Sequence, residues 1–199
     1  LTHAHDDHVG GFPDILENIK ISEVFDPGLP HTSLAYRRFL MLVEKNRIKY
    51  SNPRAGQLLS FGDVKCSVLS PSGRMESSDL NDSSIVLRFI YGKHAFLFTG
   101  DAGLRIEEKI LSRGFSLRSD VLKVGHHGSR YSTGEYFLRR VKPSVAVISV
   151  ARDNRYGHPS PYVLNMLGKY GVKIYRTDIS GAVKITSDGV DLSVTSMKN

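Results

Sequence analysis

A dense cluster of potential metal ligands near residue 1 constrains what this chain can fold into more than any other feature. Three histidines and two aspartates fall within six residues of the segment Thr2-His3-Ala4-His5-Asp6-Asp7-His8-Val9-Gly10-Gly11. Neutral imidazole and carboxylate groups are the usual protein ligands of zinc and similar divalent ions. The two glycines allow the backbone to turn tightly directly after the cluster. The pattern therefore favours a metal site over a polar surface loop.

Three more polar segments follow predicted strands and offer further ligands. Asp101 stands after a glycine at the end of one strand, and His126 and His127 stand between glycines at the end of another. His158 lies in the later segment Tyr156-Gly157-His158-Pro159. Taken alone, Asp101 could be an ordinary turn residue and each histidine a structural one. Because the chain also carries the first cluster, we expect these residues to be metal ligands. The two histidines interpreted as surface residues are His31 and His94.

The chain alternates predicted strands and helices without an internal repeat, low-complexity tract or linker, so we expect one domain over residues 1–199. Helices are predicted over residues 12–20, from a cap at Thr32 or Ser33 to Glu44, and over 106–112, 134–140 and 161–170. Strands are predicted over residues 23–26, 58–61, 64–69, 85–91, 95–99, 121–124, 145–150, 174–176, 182–187 and 190–195. This mixture of hairpins and strand-helix-strand units favours an α+β fold with helices on the outer faces of its sheets.

The composition is ordinary for a soluble globular protein, with 40% hydrophobic and 24% charged residues. No stretch approaches the roughly 20 apolar residues that span a bilayer. Lys and Arg outnumber Asp and Glu by 27 to 20, and the resulting charge of +7 fits either a polyanionic partner or a mildly basic, solvated surface. Cys66 is the only cysteine, which excludes a disulfide or a thiolate metal cage within the chain, and its alternating neighbours predict a buried structural thiol.

The spacing His3-x-His5-x-Asp7-His8 resembles the signature of the metallo-β-lactamase superfamily, whose members fold as an αββα sandwich. Later segments resemble the hydrolase domain of ComEC-type DNA-uptake competence proteins, and the resemblance covers nearly the whole chain. These segments are residues 81–87, 98–101, 122–129, 153–159 and 175–178. In such folds further strands precede the first motif. Because the chain opens on Leu1 rather than Met, we interpret it as a C-terminal fragment that lacks those N-terminal strands.

The resemblance implies two divalent metal ions, zinc or manganese, held mainly by the first motif. His3 and His5 would bind the first ion, Asp7 and His8 the second, and Asp101 would bridge the two. Such a pair activates water to attack an ester-like bond. The resemblance implies catalytic roles for Asp7, which would also orient the attacking water, and for Asp101.

His158 would complete the second metal site. Many members of the superfamily carry another histidine in the region that here reads Leu80-Asn81-Asp82, so the first ion lacks one expected ligand. His127 is the predicted replacement for this missing ligand and is also predicted to be catalytic. His126 would support His127 from beside the site or take its place as the ligand. The residues predicted to contact substrate are His126, Ser129, Asn154, Arg155 and Tyr156, with ordinary loop structure as the alternative for the last four.

The resemblance implies a phosphodiesterase or nuclease that acts on DNA during competence, degrading the strand that is not imported. Its partners would be single-stranded DNA and the membrane-channel part of the same polypeptide, with no organic cofactor. The domain would then be soluble, extracytoplasmic and tethered to the bacterial membrane, or cytoplasmic if it stands alone. Three alternatives remain open: a hydrolase of small esters or phosphoesters, a β-lactamase, and a non-catalytic DNA-binding module with a vestigial site.

Overall fold

The protein was analysed as a computed structural model, which describes residues 1–73 and 79–198. Its strands, in chain order, are β1 (Glu23–Phe25), β2 (Lys49–Ser51), β3 (Leu58–Phe61), β4 (Val64–Ser70), β5 (Val86–Tyr91), β6 (His94–Phe98), β7 (Val121–Lys123), β8 (Val145–Ile148), β9 (Lys173–Arg176), β10 (Val183–Ser187) and β11 (Leu192–Ser196). Strands β3 to β9 form one sheet in sequence order. Its first four strands pair antiparallel and its last four, from β6 onward, pair parallel.

The helices are α1 (Asp6–Val9), α2 (Phe12–Asn18), α3 (Leu34–Lys45), α4 (Leu104–Ser112), α5 (Glu135–Val141), α6 (Pro161–Lys169) and α7 (Thr177–Ser180). Local sequence explains several of their starts. The Ser33 side chain accepts the Tyr36 backbone N–H, and the Ser160 side chain accepts that of Val163. A proline near the start of both α2 and α6 suits the first turn, where its missing N–H costs no hydrogen bond.

Two apolar cores lie on different sides of the molecule. The larger core packs α4, α5 and α6 against one face of the seven-stranded sheet, with Leu97, Leu122 and Phe137 almost fully buried. The smaller core joins α1, α2 and α3 to β1 around Val9 and Phe39. The metal-ligand motif is therefore anchored by its own hydrophobic cluster as well as by the sheet.

Two small sheets flank the main one: β1 pairs with β2 in parallel, and β10 with β11 as an antiparallel hairpin. A Cβ on Gly92 would lie 2.2 Å from the Gly189 carbonyl oxygen, so the two hairpin turns approach closely enough to require glycine. His94, expected at the surface, is half-buried, and its Nδ1 lies 2.8 Å from the Ser187 hydroxyl.

The predicted fold class is confirmed, and every predicted helix and strand appears with shifts of a few residues at its ends. The elements absent from the prediction are α1, β2 and α7, each three or four residues long. Cys66 is 1% exposed, as expected for a structural thiol. Across the ranges that the structure describes, no helix is both long and apolar enough to cross a membrane.

Candidate metal centre

The predicted ligands meet at one edge of the sheet. Strands β6, β7 and β8 are parallel neighbours, so the loops that follow them emerge at the same edge. Asp101 lies in the turn after β6, His126 and His127 lie in a short 3-10 turn after β7, and His158 follows β8 by ten residues. The sheet topology thus brings together residues that are more than fifty positions apart in the sequence.

The first motif reaches this edge as a short loop followed by α1. His5 has extended backbone and accepts the N–H groups of His8 and Val9, which begins the helical turn. Val9 is fully buried and fixes the turn to the smaller core. As a result His3 is buried, His8 is half-buried, and Asp7 keeps 63% of its side chain exposed.

Asp101 lies at the middle of the constellation. Its carboxylate oxygens lie 3.3 Å from His8 Nε2, 3.4 Å from His127 Nε2 and 3.9 Å from His3 Nε2. His127 Nε2 also lies 3.2 Å from Asp7 Oδ2. Among the described residues, two sets of possible ligands share His8. One set is His3, His8 and Asp101, and the other is Asp7, His8 and His127; within each set the ligand atoms all lie within 4.8 Å of one another.

Unpartnered polar atoms at this point fit a bound metal centre. His8 Nε2, Asp101 Oδ1 and His127 Nε2 are buried without a hydrogen-bond partner. A buried polar atom without a partner is costly, and three converging ones call for a cation or other ligand between them. Imidazole nitrogens and a carboxylate are the donor set that zinc and manganese accept. The residues present therefore fit a divalent metal centre.

The electrostatics of the site favour an ionised Asp101 and a neutral His3. Burial by itself would raise the pKa of Asp101, but His127 and His8 outweigh it, so the pKa of this carboxyl lies well below its usual range. Burial, helped by the neighbouring His8, lowers the pKa of His3 to about 3. The Asp101 carboxylate, 3.4 Å from Nε2, raises the pKa of His127. Neutral imidazoles present lone pairs, as metal coordination requires.

An unusual turn aims the paired histidines in different directions. His126 and His127 both have left-handed backbone, with φ of 47° and 54°. His127 Nδ1 lies 2.7 Å from the Ser149 carbonyl oxygen, which leaves its Nε2 directed at Asp7 and Asp101. A Cβ on Gly128 would lie 2.6 Å from Pro159 Cβ, so this turn packs directly against the His158 loop.

The loop that carries His158 forms the outer wall of the site. The His158 ring lies 5.7 Å from that of His126 and 5.9 Å from that of Tyr156, measured between centroids. The Asn154 side chain accepts the His158 N–H and donates to the His158 carbonyl oxygen, so it holds this loop closed. The Arg155 guanidinium lies 5.3 Å from the centre of the Tyr156 ring.

Some detailed assignments stay predictions. His127 lies with Asp7 and His8, which the resemblance gave to the second ion, whereas it was predicted as a ligand of the first. His5 Nδ1 lies 2.9 Å from His3 Nε2. Neither His5 nor His158 belongs to the two ligand sets found among the described residues, which leaves their coordination a prediction as well.

Among the predicted substrate contacts, Arg155 and Tyr156 are exposed and His126 is half-buried beside the ligands. Ser129 is 2% exposed, and its hydroxyl accepts the Tyr131 N–H inside the loop. His31, which was interpreted as a surface residue, is half-buried, and the centre of its ring lies 6.4 Å from that of the His5 ring, near the site.

Two orienting hydroxyls near the ligands were not assigned from the sequence. Thr2 Oγ1 lies 3.2 Å from Nδ1 of both His3 and His8. Ser84 Oγ lies 3.4 Å from His3 Nδ1 and accepts the Asp101 backbone N–H. The position of Thr2 directly before the first ligand was the available signal, but only the fold brings Ser84 to the same place.

Comparisons with known proteins identify the family and the fold of the chain. The family model described as the metallo-β-lactamase superfamily matches residues 1–152. Among solved structures, the metallo-β-lactamase fold protein YhfI from Bacillus subtilis covers 88% of this chain and 72% of its own at 13% identity, with a TM-score of 0.53. CmlA, a diiron β-hydroxylase from Streptomyces venezuelae, covers 88% of this chain and 42% of its own at 14% identity, with a TM-score of 0.56. Both likenesses show the fold.

Three curated relatives match between 65% and 93% of this chain. ComE operon protein 3 of Bacillus subtilis (strain 168) is 33% identical over 184 residues, or 92% of this chain and 24% of that protein. Recombination protein 2 of Haemophilus influenzae is 34% identical over 185 residues, or 93% of this chain and 21% of that protein. Competence protein ComA of Neisseria gonorrhoeae is 40% identical over 131 residues, or 65% of this chain and 19% of that protein.

The chain spans less than a quarter of the length of each of these relatives. They confirm the resemblance to competence proteins of the ComEC type. Members of the matched family usually bind divalent metals and hydrolyse their substrates, and the converging His8, Asp101 and His127 atoms provide a place for such ions. Because the family model matches residues 1–152, the chain belongs to the metallo-β-lactamase superfamily.

Proposed function

We propose that this chain is a divalent-metal-dependent phosphodiesterase that cleaves DNA, preferentially single-stranded DNA, during competence. The observation that carries the proposal is the convergence of unpartnered His8 Nε2, Asp101 Oδ1 and His127 Nε2 in a domain whose relatives carry competence names. Two zinc or manganese ions bound there would polarise the scissile phosphodiester and make water nucleophilic near neutral pH.

The chain's own residues have separable tasks in this reaction. Asp101, ionised and 2% exposed, supplies the buried negative charge between the histidines. Asp7 is the exposed carboxylate of the set, so it meets a water molecule that enters from solvent and orients it toward the substrate. His127 is held by the Ser149 carbonyl oxygen, which keeps its Nε2 beside both carboxylates.

We place the active site outside the cytoplasm, next to a membrane channel formed by the rest of a longer polypeptide. The relatives support a longer polypeptide, because the chain corresponds to a fifth to a quarter of their length. The channel and the side of the membrane are what the resemblance to competence proteins of the ComEC type implies. A charge of +7 is favourable for a DNA substrate, since cationic surfaces attract the phosphate backbone.

Metal-dependent cleavage of labelled single- and double-stranded DNA tests the proposal. The metal is removed with a chelator and zinc or manganese is then added back to the wild type and to Asp101→Asn. We expect the variant to lose more than about a hundredfold of the activity, since loss of an outer partner of a metal ligand already costs 10- to 100-fold. Asp63→Asn, an exposed aspartate in the β3–β4 turn, is the matched control and keeps full activity.

Folding and metal content are measured in the same samples, by circular dichroism and titration calorimetry. A folded, metal-loaded wild type that cleaves neither form of DNA contradicts the nuclease proposal. Turnover of a small phosphodiester in that case identifies the small-ester hydrolase, and metal-dependent DNA binding without turnover identifies the binding module.

A further inference from the structure

A cavity of about 470 Å³ opens directly beside the metal centre. Asp7 and His127 line it together with the aromatic rings of Tyr156 and His158. A group held in this space would therefore touch a tyrosine ring while lying next to three candidate metal ligands, Asp7, His127 and His158. The other ligands at the centre of the cluster, His3, His8 and Asp101, do not line the cavity, so its space extends beyond the ligand cluster.

We propose that this cavity binds the nucleobase adjacent to the scissile phosphate, stacked on the ring of Tyr156. The proposal rests on the proposed function and adds to it a subsite for one base, independent of metal coordination. Such a subsite would select a single strand with an unpaired base over a duplex, in which bases are paired and stacked on each other.

The Tyr156 ring is available for stacking. It is 68% exposed and lines the cavity, so a group that enters the cavity can reach it. Its plane lies 21° from that of the His158 ring, which supports it from inside the loop. The Arg155 guanidinium lies 3.3 Å from the Tyr156 hydroxyl oxygen, so it borders the hydroxyl edge of the ring.

The charge around the ring fits a nucleotide better than a cationic ligand. An exposed tyrosine ring could also attract a quaternary ammonium group, such as that of a phosphorylcholine ester. Here the fixed positive charge of Arg155 already lies beside the ring and repels such a cation. The same guanidinium attracts phosphate, and a neutral planar base fills the remaining aromatic surface.

The lining offers little that could distinguish one base from another. The Asn154 amide is engaged with Ala151 and His158. The Thr177 hydroxyl is engaged with the N–H and carbonyl groups of Val150. Base-specific recognition needs free donors and acceptors, so we expect all four bases to be accepted with cleavage rates that agree within a few-fold.

Oligonucleotides with one abasic position test the subsite. Cleavage of a single strand is mapped phosphate by phosphate, with the abasic sugar placed at successive positions. We expect the wild type to cut about fivefold to a hundredfold more slowly at the phosphate whose neighbouring base is missing, the range that loss of one base–aromatic stack produces. Tyr156→Ala removes this difference, because its rates on intact and abasic strands become equal, whereas Tyr156→Phe retains it.

Tyr136→Ala is the matched control, because Tyr136 is 64% exposed on α5 and lies outside the cavity. If Tyr156→Ala discriminates against abasic strands as strongly as the wild type does, the subsite is wrong while the nuclease proposal stands. If the wild type cuts no DNA, the nuclease proposal fails. In that case the subsite is tested by binding alone. The affinities of the wild type and the same three variants for short intact and abasic strands are measured by fluorescence anisotropy in the presence of a chelator, and the same differences between the variants are expected.

Discussion

The hydroxyl of Thr2 lies beside two candidate metal ligands, so we expect this single oxygen to have a large effect on metal affinity. A neutral imidazole carries its proton on one nitrogen, so a hydroxyl that accepts from Nδ1 leaves the Nε2 lone pair free for a metal. Thr2 Oγ1 lies 3.2 Å from Nδ1 of both His3 and His8. The oxygen has two lone pairs and can accept from both rings.

We predict that Thr2→Val weakens metal binding by about 10- to 100-fold, the usual effect of removing an outer partner of a ligating histidine. Valine keeps the shape of threonine without the hydroxyl, and Thr2→Ser, which keeps the hydroxyl, should bind metal nearly as tightly as the wild type. Competition against a calibrated chelator measures the affinity. Nitrogen chemical shifts of His3 and His8 in the metal-free protein report the tautomer, and unchanged shifts and affinity in Thr2→Val would contradict the role.

At this scale the sequence identified the kinds of ligand but not their directions. His126 and His127 are adjacent and chemically identical, and only the left-handed backbone of both residues decides that His127 faces Asp7 and Asp101. Asn154 was predicted to contact substrate, yet its side chain is engaged by its own loop. A sequence pattern places a polar side chain in a loop, and the loop's hydrogen bonds determine where the side chain points.

Secondary structure followed the sequence where apolar and β-branched residues or a hairpin turn marked the element. Strands β4 and β8 are rich in buried apolar residues, and β3, which has no buried residue, is marked by the Gly62-Asp63 turn that follows it. The elements that the sequence did not predict have little such signal. Strand β2, Lys49–Ser51, has no buried residue, and α7 has none either. Helix α1 has only four residues, two of them the candidate ligands Asp7 and His8, and its single buried residue, Val9, gives no periodicity to detect.

Buried Glu107 links α4 to the loop that carries the paired histidines. Its carboxylate oxygens accept the N–H groups of Thr133 at 2.5 Å and Gly134 at 2.8 Å, at the start of α5. The Thr133 hydroxyl in turn accepts the N–H of Gly125, directly before His126. Burial raises the pKa of Glu107 to about 7, even though both backbone N–H groups oppose the rise and the nearby Glu108 assists it.

This carboxyl predicts a pH dependence of stability with a definite sign. Between its ordinary value of 4.5 and its folded value of about 7, the folded protein holds a proton that the unfolded chain has lost. Stability should therefore fall by up to about 3 kcal/mol as pH rises through this window. Urea unfolding of the wild type and Glu107→Gln measures this pH dependence. The measurements run from about pH 4 to 8, so that they include both the ordinary pKa of 4.5 and the folded pKa of about 7.

Glu107→Gln has no carboxyl to titrate, so its stability should change less over the same window. Glu44→Gln is the matched control, because this side chain is exposed on α3 and is not among the groups that shift the pKa of Glu107, and it should retain the wild-type slope. Parallel curves for the wild type and Glu107→Gln would show that the Glu107 carboxyl is not the source of the pH dependence.

At the scale of the whole molecule, the two cores leave an apolar cleft of about 520 Å³ between them. One wall comes from residues around α2 and the other from the face of the main sheet opposite α4, α5 and α6. Its apolar lining includes Phe12, Ile15, Ile21, Phe25, Leu59, Phe61, Leu87 and Phe89. Phe61 is 50% and Ile15 42% exposed, so apolar surface stays open to solvent in the folded chain. No sequence pattern reveals such a cleft, because it arises from how two separately packed layers meet.

An open apolar cleft should bind the dye ANS in the native state of this chain. Two isoleucines of the α2 segment provide a matched pair of tests. Ile15 lines the cleft, whereas Ile19 is 56% exposed outside it. Ile15→Val, which removes one CH₂ group from the lining, should weaken dye binding by about fourfold, since each buried CH₂ group contributes about 0.8 kcal/mol, and Ile19→Val should leave it unchanged. Near-ultraviolet circular dichroism must stay native throughout, because a molten globule also binds this dye without fixed packing. Equal affinities for the two variants would mean that the dye reports general apolar surface, and the cleft would then be closed in solution.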